Sequence, residues 1–176
     1  MIRTERLLLR EWREDDRDAW AALNADPEVM EYFPATLSRE EADAAFDRIS
    51  GILADRGWGL WAVDRGDGEF LGFTGLAPVT FVADFAPAIE VGWRLARHAW
   101  GQGFATEAAR AAIRFAFDDL DQDQIVSLTA VGNQRSRAVM ERLGMTTDPA
   151  DDFDHPRVLP GHPLRRHVLY RLRRTQ

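Results

Sequence analysis

Between Ile89 and Glu107 the chain runs through a strand-like Ile-Glu-Val-Gly-Trp-Arg-Leu, a short loop with glycines at 101 and 103, and the opening of an alanine-rich helix. A strand that turns through two glycines straight into a helix leaves several backbone N–H groups without intrahelical partners at the positive end of the helix dipole. Such a corner is an anion site. Ala105, Ala108, Ala109, Ala112 and Ala116 also give the helix a face small enough to lie close against a sheet. Two familiar glycine loops do not fit. A dinucleotide fingerprint needs a third small residue where Thr106 stands, and a P-loop needs Gly-Lys-Ser/Thr, whereas this loop has no lysine. A plain tight turn ahead of a helix is the competing reading at this point.

The flanking segments alternate between strand and helix periods. Arg6–Trp12 reads as a first strand and Asp15–Asn24 as a short helix with Ala19, Trp20 and Leu23 on one face. Glu28–Pro34 is an unusually apolar connection. Ser38-Arg-Glu-Glu41 is a capping box that opens a second helix, whose Ala42, Ala45, Phe46, Ile49 and Leu53 recur at helical spacing. Arg-Gly-Asp-Gly at 65–68 joins strands Gly59–Asp64 and Glu69–Leu76 as a hairpin. Phe81–Phe85 is a loop or strand edge. After the helix Phe104–Asp118 come a strand Ile125–Val131, a short helix Gln134–Leu143 stopped by Gly144, a Pro- and Asp-rich loop over 148–163, and a terminal strand Val168–Leu172. This order predicts a single α/β (α+β) domain over 1–176, with a mixed sheet of about six to seven strands flanked by about four helices.

Composition narrows the partners. A net charge of −7 excludes a broad nucleic-acid surface. Arg94, Arg97, His98, Arg135 and Arg137 nevertheless cluster in or near the glycine loop and the later Asn-Gln-Arg-Ser segment, which suits a small anionic ligand. The absence of cysteine removes disulfides, thiolate catalysis and cysteine-ligated metal. No apolar run approaches the ~20 residues of a membrane span. The chain opens straight into a strand-like run without a signal peptide, so a cytoplasmic protein is expected, as a monomer or homodimer. The spacing of His155, His162 and His167 fits no standard metal site, and no metal is expected.

Trp100-Gly-Gln-Gly-Phe-Ala-Thr-Glu-Ala108, preceded by Glu-Val-Gly-Trp-Arg-Leu and followed by Asn133-x-x-Ser136 and Glu141-Arg-Leu-Gly-Met145, resembles the GNAT N-acetyltransferase superfamily. The likeness is nearest to the branch of ribosomal-protein N-terminal acetyltransferases, and it covers nearly the whole chain. It implies acetyl-CoA as co-substrate and, as acceptor, a small-molecule amine or a protein N-terminus. The family's glycine pattern falls on His98, Gly101 and Gly103, with histidine where glutamine or arginine is usual. The resemblance thus assigns the pyrophosphate to the amides around Gly101, Gln102, Gly103, Phe104, Ala105 and Thr106. It assigns main-chain bonds to pantetheine to Trp93, Arg94 and Leu95, and the pantetheine channel to Asn133 and Ser136. Asn133 also reads as a simple helix N-cap.

Acetyl transfer to an amine needs a base, because amines are mostly protonated at neutral pH. Glu90 occupies the middle of its strand on one face with Gly92 and Arg94, where desolvation raises a carboxylate's pKa. The resemblance also makes it the base; a structural ion pair with an arginine such as Arg94 is the alternative. A strand amide such as that of Trp93 would meet the oxyanion. Many relatives carry a tyrosine as acid where this chain has Met140, which leaves Ser136, or water, to protonate the thiolate. Relatives build the acceptor side from segments that hold Tyr32, Phe33, Trp61 and Trp93 here, together with the loop 152–167. A catalytically silent acyl-CoA-binding module is the rival to an enzyme.

Overall fold

The computed structural model describes residues 1–174. Nine strands form one sheet: β1 (Ile2–Arg3), β2 (Leu8–Arg10), β3 (Leu60–Asp64), β4 (Phe70–Pro78), β5 (Ile89–Leu95), β6 (Gln124–Ala130), β7 (Thr146–Thr147), β8 (Phe153–Asp154) and β9 (Arg166–Arg173). The order is β1-β2-β3-β4-β5-β6-β9-β7, with β8 also paired to β9. Every pairing is antiparallel except β5 with β6. The sheet exceeds the expected six to seven strands because β1, β7 and β8 are two-residue ladders, too short for an alternating pattern to show in sequence.

Four helices flank the sheet: α1 (Arg17–Ala25), α2 (Arg39–Arg56), α3 (Phe104–Asp118) and α4 (Gln134–Arg142). The capping box at the start of α2 forms in both directions. The Glu41 amide donates to Ser38 Oγ at 3.2 Å, and the Ser38 amide donates to Glu41 Oε2 at 2.8 Å. The strand expected over Arg6–Trp12 is β2, which stops at Arg10. Arg10 is held by a buried ion cluster, with Nη1 2.7 Å from Asp16 Oδ2 and Nε 2.9 Å from Asp64 Oδ2. This turns the chain into α1, and the Trp12 indole donates to Leu60 O at 2.8 Å.

The sheet separates two apolar layers. On one face α3 lies against Leu9, Trp61, Val63, Leu76, Val91 and Ile125; on the other, α1 and α2 bury Trp20, Leu23, Phe46, Ile49 and Phe73. Ala108, Ala109, Ala112 and Ala116 are completely buried, so a larger side chain at any of them would push α3 off the sheet at a cost of about 1–3 kcal/mol. The parallel contact that α3 bridges is short. Only Ile89–Ile125 and Glu90–Val126 pair, after which β5 and β6 part company.

Candidate active site

The gap between β5 and β6 opens a cleft of about 1470 Å³ that reaches from the start of α3, past α4, to α2 and the 155–167 loop. Its walls follow from strand parity. The Ala96 amide donates to Leu71 O and the Val79 amide to Ala88 O, so the even-numbered residues of β5 turn their backbone toward β4 and the odd-numbered residues toward the gap. Trp93 and Leu95 therefore present main chain to the cleft, although Leu95 O already accepts from the Trp100 indole at 2.8 Å. Arg94 does not: its backbone belongs to the β4 ladder opposite Phe73, and only its side chain reaches the cleft. That corrects the expectation of a main-chain role for Arg94.

Glu90, Gly92 and Arg94 share the face of the sheet toward α1 and α2, and all three line the cleft. Burial pushes the Glu90 carboxyl up from 4.5 to about 7, with the Arg157 charge pulling weakly the other way. No hydrogen bond or ion pair ties Glu90 to Arg94 among the described residues, so the structural ion pair considered for it does not form. Two imidazoles line the cleft as well, their rings 4.8 Å apart. His155 is pushed down to about 4 by burial, then by His167 and Arg157, and burial likewise lowers His167. Both are neutral near pH 7. The 148–163 segment is thus no plain surface loop: it adds a 3-10 turn (Pro149–Asp151) and β8, and its His155, Arg157 and Val158 close one side of the cleft.

At the other end Gly101 (φ 74°) and Gly103 (φ 79°) hold the left-handed conformation that glycine adopts without strain. Gly103 caps α3 without a side chain, and the first helical bond runs from the Glu107 amide to Gly103 O at 3.0 Å. The preceding first-turn amides keep their hydrogen-bonding capacity for a ligand. Gly101, Gly103, Phe104, Ala105 and Thr106 line the cleft there. His98 and Gln102 do not. His98 is exposed and lies 3.2 Å from Glu69 Oε1, while Gln102 Nε2 donates to His98 O at 2.8 Å. The left-handed turns at 101 and 103 rotate the intervening Gln102 side chain away from the cleft, and His98 is turned toward Glu69.

Thr4 and Arg6, near the N-terminus, brace this corner. Thr4 Oγ1 donates to Glu107 Oε1 at 2.6 Å, Arg6 Nε donates to Glu107 Oε2 at 2.7 Å, and Arg6 Nη1 donates to Gln102 O at 3.0 Å. Residues a hundred positions apart carry no local signal of such a contact.

Asn133 is the N-cap of α4. Its Oδ1 accepts from the Ser136 amide at 3.2 Å, and its Nδ2 donates to Thr129 Oγ1 at 2.9 Å and Ser136 Oγ at 3.1 Å. The side chain is thereby committed to fixing the β6–α4 corner. Ser136 Oγ, accepting from Asn133, keeps its own proton to donate, and it lines the cleft. Met140 is buried beside it. Tyr170 does not replace the missing phenol: it is buried away from the cleft, donating to Glu141 Oε1 at 3.1 Å.

Of the aromatic residues assigned to the acceptor side, Tyr32 and Phe33 line the cleft, with Tyr32 against Gly132 at the α4 corner. Trp93 lines it too, but its indole stands on the α3 face, opposite Glu90 and Arg94. Trp61 is a correction. It is 2% exposed and packs edge-on against Phe115 of α3, because its position in β3 points to the core face. The cleft also carries a charge pattern that composition conceals. Arg48, Arg56, Arg94, Arg135, Arg142 and Arg157 line it, against one described carboxylate, Glu90.

A family model described as an acetyltransferase (GNAT) domain matches residues 6–146. The FsC-acetyl coenzyme A-N(2)-transacetylase of Aspergillus fumigatus is 34% identical over 155 residues, which are 82% of this chain and 64% of that protein. The chain thus spans under two thirds of that relative's length. The uncharacterized protein YkkB of Bacillus subtilis is 31% identical over 144 residues, 81% of this chain and 83% of that one. The crystal structure of an acetyltransferase from Agrobacterium tumefaciens superposes with a TM-score of 0.77 at 29% identity, covering 98% of this chain and 94% of that one.

Proposed function

The chain belongs to the GNAT acetyltransferase family, and from that premise we propose that it transfers an acetyl group from acetyl-CoA to a primary amine by direct attack within a ternary complex. The amine is that of a small molecule or a protein N-terminus. One observation carries this reading: β5 and β6 part immediately after Glu90, so a carboxylate with a pKa of about 7 and unpaired β5 amides share a cleft that ends at the glycine-capped start of α3.

Acetyl-CoA supplies a thioester carbonyl for attack and leaves as a thiol. The amides from Gly101 to Thr106, with Arg135 and Arg142 at the same end, bind the anionic part of such a donor. Trp93 offers its main chain to the pantetheine arm and its N–H to the negative charge developing on the carbonyl oxygen. Glu90 removes the proton that the amine must lose. Ser136 relays a proton to the departing sulfur, its hydroxyl giving one and taking another back from solvent, in the position Met140 cannot serve. The mutual placement of two substrates supplies much of the rate, so a weak acid is tolerable.

Free-thiol release from acetyl-CoA, measured with a panel of amines, amino acids and Ala- or Ser-starting peptides, tests the reading. Acceptor-dependent release is expected. Saturable CoA binding with no release for any acceptor would instead identify a silent acyl-CoA-binding module. A cytoplasmic setting suits this chemistry, and no described helix is long and apolar enough to cross a membrane.

A further inference from the structure

Arg94 is a half-buried cation lining the cleft that the donor chemistry does not use. Its Nη1 donates to Asn24 Oδ1, and Asn24, itself fully buried, is oriented by its own Nδ2 bond to Trp20 O at 2.8 Å. Its Cζ lies 4.0 Å from the Phe33 ring centroid and 5.5 Å from that of Phe73. Its Nε is buried with no hydrogen-bond partner among the described residues, and no described carboxylate acts on its charge. Asn24 and the two rings thus fix the guanidinium by one corner and its faces. The Nε–Nη2 edge is left over, and that edge carries the parallel pair of donors which fits a carboxylate bidentately. Burial lowers Arg94 only to about 10, so the group is charged at neutral pH. A charge placed in such surroundings without a counter-ion calls for one from outside.

The neighbourhood says where that counter-ion would sit. Arg94 and Glu90 are four residues apart on the same strand face, their Cα atoms ~13 Å apart along β5. Gly92 lies between them with open space where a Cβ would stand. A base and a cation therefore flank one small bare patch of sheet. Arg135 already pairs with Glu31, whereas Arg94 has no such partner and lies on the face toward α1 and α2, where the acceptor would enter. Resting on the reading of the cleft as an acetyltransferase site, we propose that Arg94 binds the carboxylate of the acceptor, so that the substrate is a compact amino acid with a free carboxylate. Polyamines offer this pocket a second cation, and a peptide N-terminus offers an amide where the carboxylate should be.

The test uses matched acceptors: each of the common amino acids and its carboxamide, with spermidine and an Ala-starting peptide. Both thiol release and calorimetric binding to the CoA-loaded protein are measured. The parent is expected to prefer at least one free amino acid over its amide by about 10- to 100-fold in kcat/KM, the discrimination of a charged hydrogen-bonded pair. Arg94→Gln brings that ratio close to one, and Arg94→Lys recovers part of it. Equal use of acid and amide by the parent, a better peptide or polyamine, or no amino-acid binding at all would overturn the proposal without needing any variant to fold. Arg94→Gln that melts like the parent yet keeps its ratio would overturn it too. Carboxylate-selective binding with no thiol release would refute the acetyltransferase reading and leave the role of Arg94 standing.

Discussion

Glu90→Gln separates the electrostatics of the cleft from its chemistry. A carboxyl whose pKa is about 7 in the folded chain and 4.5 when free resists ionisation in the native state. The sign follows directly: the folded protein holds the proton more tightly, so the stabilising contribution of protonated Glu90 is complete below about 4.5 and is lost as the pH rises through 7. That interval corresponds to about 3 kcal/mol. Glutamine is neutral at every pH and close to the shape of the protonated acid. At pH 4 parent and variant should therefore melt nearly together, whereas at pH 8 the variant should be more stable by up to about 3 kcal/mol. For a domain of this size that is roughly 6–12 °C in Tm. Differential scanning calorimetry across the range checks it. The same variant should lose about 100-fold or more in kcat/KM, and the parent's profile should rise with an apparent pKa close to 7 as the base is uncovered. A melting difference that stays constant from pH 4 to 8 would refute the desolvated carboxylate. Undiminished turnover across pH 6–9 would refute the base.

Ser136→Ala should lower kcat by about tenfold or more with little change in the KM for acetyl-CoA, since only the proton for the leaving sulfur is removed; steady-state kinetics decides this. Gly103→Ala places a Cβ on a residue at φ 79°, which costs about 1–2 kcal/mol of backbone strain, and it should weaken CoA binding at least tenfold in a calorimetric titration. Asp64→Ala should cost about 3–5 kcal/mol in urea unfolding, because it leaves the buried Arg10 charge short of a partner. Burial pushes the Asp64 carboxyl up, but Arg10 and the Gly66 and Gly68 amides together outweigh this and hold it below 3.8. Its share of stability is therefore present above that pH and is lost as the acid limb passes below it.

How much was readable in advance depends on how local the cause is. The capping box of α2, the hairpin at 65–68, the alanine face of α3 and the glycine loop at 101–103 all depend on neighbours within one or two turns, and each was legible from residue order. The placing of Glu90, Gly92 and Arg94 on one face followed from the two-residue period of a strand. Parity alone did not say which face would meet α3. Trp61 and Phe33 are both aromatic and were both assigned to the acceptor side. One became core because β3 turns it toward α3, and the other stayed in the cleft against Arg94.

The glycine loop, its helix and the strand before it were thus determined by the sequence itself, because backbone conformation and periodicity are short-range properties. The tertiary structure decided where β5 and β6 part, that Thr4 and Arg6 brace Glu107, that the backbone of Arg94 belongs to β4 while its side chain faces the cleft, and that Arg157 approaches Glu90. These are contacts between distant segments. A pKa, an unpaired donor and a cleft depend on the groups that surround them in space, and the chain order does not carry that information.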